Sequence, residues 1–220
     1  MPTLAVPPSP LALDGKSRKP LYESAVIIEY LDEAYADTEV HGPHLLPDDV
    51  YERARARLWM DHVASRIVPG FYRLLQCDGG GDPERMGEVR QQFLESLKML
   101  VREMADPEEE EQQGGGGPWF LGARFSLVDV MLAPWAKRLF LIDHYKEGGV
   151  GIPKKEERME DEEKKIWGRW DLWMEAVEGR KSVRETWSDE EEYVKAYKRY
   201  ADNTTQSEVG RATREGKRLP

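Results

Sequence analysis

The chain has 220 residues, with 32 Lys and Arg against 42 Asp and Glu, for a formal net charge of -10. That balance speaks against nucleic acid and anionic membranes as partners, because both reward clustered cations. No stretch approaches the roughly 18 apolar residues of a membrane span, and the start Met1-Pro2-Thr3-Leu4-Ala5 lacks the basic and apolar regions of a signal peptide. One cysteine, Cys77, excludes an internal disulfide, and the four histidines (His41, His44, His62, His144) show no metal-ligand spacing. The expectation is an intracellular, cytoplasmic protein of two unequal domains without a metal.

Residues 1–22 alternate Pro and Gly with short apolar pieces, Thr3-Leu4-Ala5-Val6, Leu11-Ala12-Leu13 and Pro20-Leu21-Tyr22. This predicts two short strands joined by a long hairpin loop. From Ser24 the period becomes helical, with Val26, Ile27, Tyr30, Leu31 and Ala34 on one stripe, and a polar linker runs on to Pro47.

Beyond Pro47-Asp48 the chain reads as helical almost throughout. Met60, Val63, Ile67, Phe71 and Leu74 form one apolar stripe, which Gly79-Gly80-Gly81 ends. A second long helix from Pro83 carries Met86, Val89, Phe93, Leu97, Leu100 and Met104, so the two make a helical hairpin. Residues 106–117, with four successive glutamates and four successive glycines, bury nothing and predict a mobile surface insertion. Ser126-Leu127-Val128-Asp129 then opens a segment through Ile142 that is apolar on nearly every side, which places it in the middle of a bundle. Its Ser126 and Asp129 have capping-box spacing and a structural role. Two further helices follow, one with Ile166, Trp167, Trp170, Trp173, Met174 and Val177, the other with Tyr193, Val194, Tyr197 and Tyr200. The basic tail, 206–220, is either a final docked turn of helix or frayed.

The chemistry-bearing positions are few. Glu23 and Ser24 stand at a helix start, where unpaired amides and the positive dipole end attract a carboxylate, while the Glu23 carboxylate suits an α-amino group. The alternative from the dipeptide alone is an N-cap serine beside a surface acid. Cys77 ends a helix next to Asp78, which disfavours a thiolate, so it reads as an incidental thiol. Trp59, Phe71, Tyr72, Trp135 and Trp170 suit either an apolar pocket between domains or, at helical spacing, the core.

In this order the pieces resemble the glutathione transferase superfamily, most closely its omega-like class. The resemblance rests on Pro20-Leu21-Tyr22-Glu23-Ser24-Ala25-Val26-Ile27, on Leu45-Leu46-Pro47-Asp48, on Trp119-Phe120-Leu121-Gly122 with Phe125-Ser126-Leu127-Val128-Asp129, and on Lys195-Ala196-Tyr197-Lys198-Arg199-Tyr200-Ala201. It implies a mainly α fold: a partial thioredoxin-like β-β-α domain (1–46) before an all-α C-terminal bundle (47–205). It further implies glutathione as cosubstrate, held by Glu23 and Ser24 and by the backbone at Met1-Pro2, and a small electrophilic or disulfide second substrate. A homodimer would form through first-domain contacts with the partner's two long helices. The chain enters the thioredoxin-like pattern at its third strand, and no residue maps onto the class's nucleophilic cysteine. Three readings follow: an omega-like enzyme whose nucleophile lies upstream, a non-catalytic interaction module, or a shortened gene model of an active enzyme.

Overall fold

The computed structural model describes residues 3–6, 19–78, 83–106 and 116–219. Met1, Pro2, the Leu11-Ala12-Leu13 piece and most of the acidic insertion lie outside the described residues. Strand β1 (Thr3–Val6) pairs antiparallel with β2 (Lys19–Tyr22), Thr3 opposite Tyr22 and Leu4 opposite Leu21. Helix α1 (Ser24–Ala34) follows at once. Its predicted stripe is only half covered: Ile27, Tyr30 and Leu31 are half-buried, whereas Val26 and Ala34 are exposed, and it is Ile28, off that stripe, that packs on the helical core. A short α2 (Thr38–His41) is capped by the Asp37 carboxylate, which accepts from the Glu39 and Val40 amides.

The helical domain opens with α3 (Val50–His62), where Asp49 caps by accepting the Glu52 N–H at 2.9 Å. The helix runs on through a π-helical turn, Val63–Ile67, into α4 (Val68–Gln76). Pro69 explains the widened turn. A proline in mid-helix has no N–H to donate and its ring crowds the carbonyl four residues back, and a π turn accommodates both. The stripe Met60, Val63, Ile67, Phe71, Leu74 stays buried across the irregularity, as the periodicity predicts.

Helix α5 (Pro83–Arg102) packs back on α4 through Phe93, Leu97 and Leu100. The crossing is close at Gly70, where an added Cβ would lie 2.7 Å from the Phe93 ring. Helix α6 (Leu127–Lys137) is the central element, touching α1, α3 and the π turn, with Leu127, Val128, Leu132 and Ala133 buried. The predicted single helix to Ile142 is in fact two. At Arg138 and Leu139 the backbone tightens to bonds three residues back, on Trp135 and Ala136, and a new helix α7 (Phe140–Tyr145) begins.

Helix α8 (Asp161–Gly179) buries Ile166, Trp167, Trp170, Trp173 and Val177 and packs on α5. It is followed by α9 (Lys181–Arg184), α10 (Glu190–Ala201) and α11 (Glu208–Arg214). Of the two outcomes open for the tail, docking is observed. Helix α11 packs on α4, with Gly210 buried, Val209 against the core and the Asn203 amide donating to Gln76 O at 3.0 Å.

Candidate functional site

The turn between β2 and α1 brings Glu23 and Ser24 to the surface together. Glu23 occupies the N-cap with φ 70 and ψ 115, one of two non-glycine residues with positive φ among those described. A glutamate gains nothing locally from that conformation, which costs about 1–3 kcal/mol. The helix begins there, with the Ile27 N–H donating to Glu23 O at 2.9 Å. Ser24 is therefore the first helical residue, which corrects the N-cap reading of its hydroxyl. No side chain caps the first turn of α1, and no acidic residue lies in it. Ser24 and Val26 are exposed, and among the described residues no side chain takes up the first-turn donors, the situation in which a helix start accepts a carboxylate.

A carboxylate in the last turn of α1 fixes this helix to the bundle. Asp32 accepts the Leu45 N–H at 2.8 Å and the Leu46 N–H at 3.2 Å, with His44 Nδ1 3.7 Å away. Leu45 O in turn accepts the Leu127 N–H at 3.1 Å, so the clasp continues into the start of α6. On the opposite flank, Arg57 of α3 donates from Nε and Nη2 to Glu29 at 2.9 and 2.8 Å. Sequence reasoning saw the Leu45-Leu46-Pro47-Asp48 entry but not Asp32, because an acid late in an amphipathic helix carries no mark of its partners.

The capping box is built around a fully buried carboxylate. Asp129 Oδ2 accepts from Ser126 N–H at 2.8 Å and Ser126 Oγ–H at 2.7 Å, while Oδ1 accepts from Phe120 N–H at 2.9 Å and Trp173 Nε1–H at 2.8 Å. Burial pushes the Asp129 pKa up, and these four donors oppose it. The position holds the Trp119-Phe120 loop, the start of α6 and α8 in one knot, a structural role.

Cys77 is buried at the C-cap of α4, with Lys146 Nζ 2.9 Å from its carbonyl oxygen. The aromatic residues named from the sequence divide between two places, neither of them a pocket. Phe71, Tyr72 and Trp170 are core, and Trp59 and Trp135 are half-buried at its margin. Tyr72 stacks on Tyr197, and burial drives its phenol well above the usual range. The aromatic residues that do line a groove are Tyr35, Trp119, Phe125, Trp187 and Tyr193. This groove, about 900 Å³, runs between α1 and the face made by α6 and α9. A second groove, about 1310 Å³, lies between the Pro47-Asp48 entry, the 103–106 segment and α8. Among the described residues no three His, Cys, Asp or Glu side chains converge as a metal site would require, and no helix is long and apolar enough to cross a membrane. Met1 and Pro2, expected to contribute backbone contacts, are not among the described residues.

With the geometry in place, the comparisons with known proteins are informative. A family model described as glutathione S-transferase, C-terminal domain, matches residues 48–176. The chain is 33% identical over 114 residues to the probable glutathione S-transferase parC of Nicotiana tabacum, covering 52% of this chain and 44% of that one. It thus spans under half the length of that curated relative. Among solved structures it superposes on glutathione transferase Omega 3C of Trametes versicolor with a TM-score of 0.64 at 35% identity, covering 86% of this chain and 68% of that one. It shares the fold of a glutathione transferase of Burkholderia graminis solved with two glutathione molecules per subunit, at a TM-score of 0.53 and 20% identity, over 80% of this chain and 62% of that one.

Proposed function

We propose that this chain, which belongs to the glutathione S-transferase superfamily, is an omega-like member that binds glutathione at the Glu23–Ser24 turn. The observation that carries the reading is the backbone of Glu23, held at φ 70 beside a first helical turn whose donors have no acceptor among the described residues. Strain of this kind persists where the surrounding structure imposes it, and it concentrates at ligand sites.

The chemistry suits the γ-glutamyl end of glutathione. The α-carboxylate of that end would accept from the first-turn amides and from Ser24 Oγ–H, aided by the helix dipole, while Glu23 would pair with the α-ammonium. Cys77 takes no part. A thiol buried at a helix C-cap sits at the negative dipole end, where a thiolate is disfavoured, and it lines neither groove. The reacting sulfur under this reading is that of glutathione, its acceptor a small electrophile or disulfide, and the setting the reducing cytoplasm.

Calorimetric titration of the 220-residue chain with glutathione tests the reading, alongside Ser24→Ala. Saturable binding that Ser24→Ala weakens about fivefold or more, the worth of one hydrogen bond to a charged group, supports it. Absence of binding to the unmodified chain overturns it.

A further inference from the structure

Helix α1 carries the Glu23–Ser24 turn at its N-terminus, yet apolar burial does little to seat it. None of its residues is buried, although Ile28 packs against the helical core. The strands before it add little, because a two-stranded sheet is marginal on its own. Two polar ties do the rest, both in the second half of the helix: Asp32 with the Leu45 and Leu46 amides, and Glu29 with Arg57 of α3. Residues 28, 29 and 32 share one helix face, so one side of α1 meets the bundle and the first turn has no tie of its own.

The two ties differ in kind. Asp32 accepts from backbone amides with its side chain only 8% exposed. The other pair is open to solvent, with the Arg57 side chain 44% and the Glu29 side chain 26% exposed. Arg57 brings Nε and Nη2 to one oxygen, Glu29 Oε2, at 2.9 and 2.8 Å. That hydrogen bonding, with the charges of Glu29 and of Glu33 one turn further on, raises the Arg57 pKa above its ordinary value. Arg57 stands on a firm base, since α3 buries Ala56 and Met60 in the core.

We infer that the Glu29–Arg57 pair sets the fraction of time that α1 is seated on the bundle, and with it the strength of the site at the helix start. Arg57 is then a positioning residue, acting through Glu29 and the helix rather than on the ligand. When the competent state is only partly populated, the apparent dissociation constant is the intrinsic one divided by that fraction, so losing an anchor weakens binding from a distance. A partly exposed ion pair shifts such an equilibrium about two- to fivefold, and salt screens it. That the ligand is glutathione rests on the reading above. The seating does not.

Calorimetric titration of the full chain with glutathione compares wild type with Arg57→Gln. The variant binds about two- to fivefold more weakly at low salt, and the ratio closes towards one at about 1 M sodium chloride. Arg57→Glu, which faces Glu29 and Glu33, binds more weakly still, and adding Glu29→Arg to it restores most of the loss. Hydrogen exchange without glutathione reads the seating directly: amides in 28–34 exchange about two- to fivefold faster in Arg57→Gln, while those of α4 and α6 are unchanged. Unchanged exchange in α1 overturns the inference, as does a loss of affinity that salt leaves untouched and the exchanged charges fail to restore. If wild type ignores glutathione, the glutathione reading falls, and the exchange comparison alone decides on the seating.

Discussion

Trp173 donates its indole N–H to Asp129 at 2.8 Å, and both residues are fully buried. That bond joins α8 to the N-terminus of α6 at the point where Phe120 and Ser126 also converge on the same carboxylate. Removing the acid strands several donors at once. Asp129→Ala is expected to cost about 3–5 kcal/mol, and Trp173→Phe, which removes one donor and a little volume, about 1–2 kcal/mol. Urea denaturation followed by far-ultraviolet circular dichroism measures both, and equal, small effects would contradict the four-donor arrangement.

Asp32 makes a different kind of prediction, because it joins parts rather than building one. Asp32→Ala leaves the Leu45 and Leu46 amides without their acceptor, at about 1–3 kcal/mol for each donor that water does not reach. The expected phenotype is local: faster proteolytic cleavage within 35–47 with the helical domain's melting temperature little changed. A uniform drop in stability with no gain in cleavage at the linker would count against the clasp.

Glu23→Gly separates strain from function. Glycine accepts φ 70 without penalty, so the variant should melt higher, by about 1 kcal/mol of net stabilisation after glycine's own entropy cost. Glutathione affinity should move in the opposite direction, since the carboxylate proposed to meet the ammonium is gone. Both quantities falling together would mean that the turn is held for packing alone.

Arg158 and Asp171 form a partly buried pair, Nη1 to Oδ2 at 2.7 Å and Nη2 to Oδ1 at 3.2 Å, with Arg158 Nε also donating to Pro153 O and the Asp171 side chain 28% exposed. The Arg158 side chain is only 7% exposed. Breaking such a pair from one side leaves an uncompensated charge, so Asp171→Ala is expected to cost about 3 kcal/mol. Replacing both residues, as Arg158→Met with Asp171→Leu, should recover most of that loss, and chemical denaturation of the single and double variants decides.

The periodicity of the long helices survived contact with the structure, while the stripe of α1 is only half covered. The Met60-to-Leu74 stripe is buried along its length, and the spacing of Ser126 and Asp129 announced the box they form. Partners distant in the chain had no such expression. The Asp32 acceptor meets Leu45 and Leu46 across a turn whose course depends on Gly42 at φ 85, and the groove aromatics come from segments far apart in the chain, Trp119 and Phe125 from the loop before α6 and Trp187 from the stretch after α9. The helix break at Arg138 was hidden because apolar residues continue through it; a chain that is apolar on all faces carries no phase from which to read an interruption. The helix start at Ser24 is as the periodicity predicts, and only the alternative of an N-cap serine fails. Its residue type favours an N-cap, but the positive φ of Glu23 moves the boundary back by one.

Arg169 gives Nε to Ala105 O at 3.0 Å, Nη1 to Pro118 O at 2.9 Å and Nη2 to Trp119 O at 2.7 Å. Ala105 N–H meanwhile donates to Phe120 O at 2.9 Å. One side chain on α8 therefore rivets together the two points where the Glu- and Gly-rich stretch leaves and rejoins the domain. With both ends anchored on the domain, loop length enters the folding free energy only logarithmically, about 0.6 kcal/mol per doubling. The acidic stretch is thus a cassette in a fixed socket, a place where an affinity tag, a fluorophore-bearing peptide or a whole inserted domain can be spliced without disturbing the bundle.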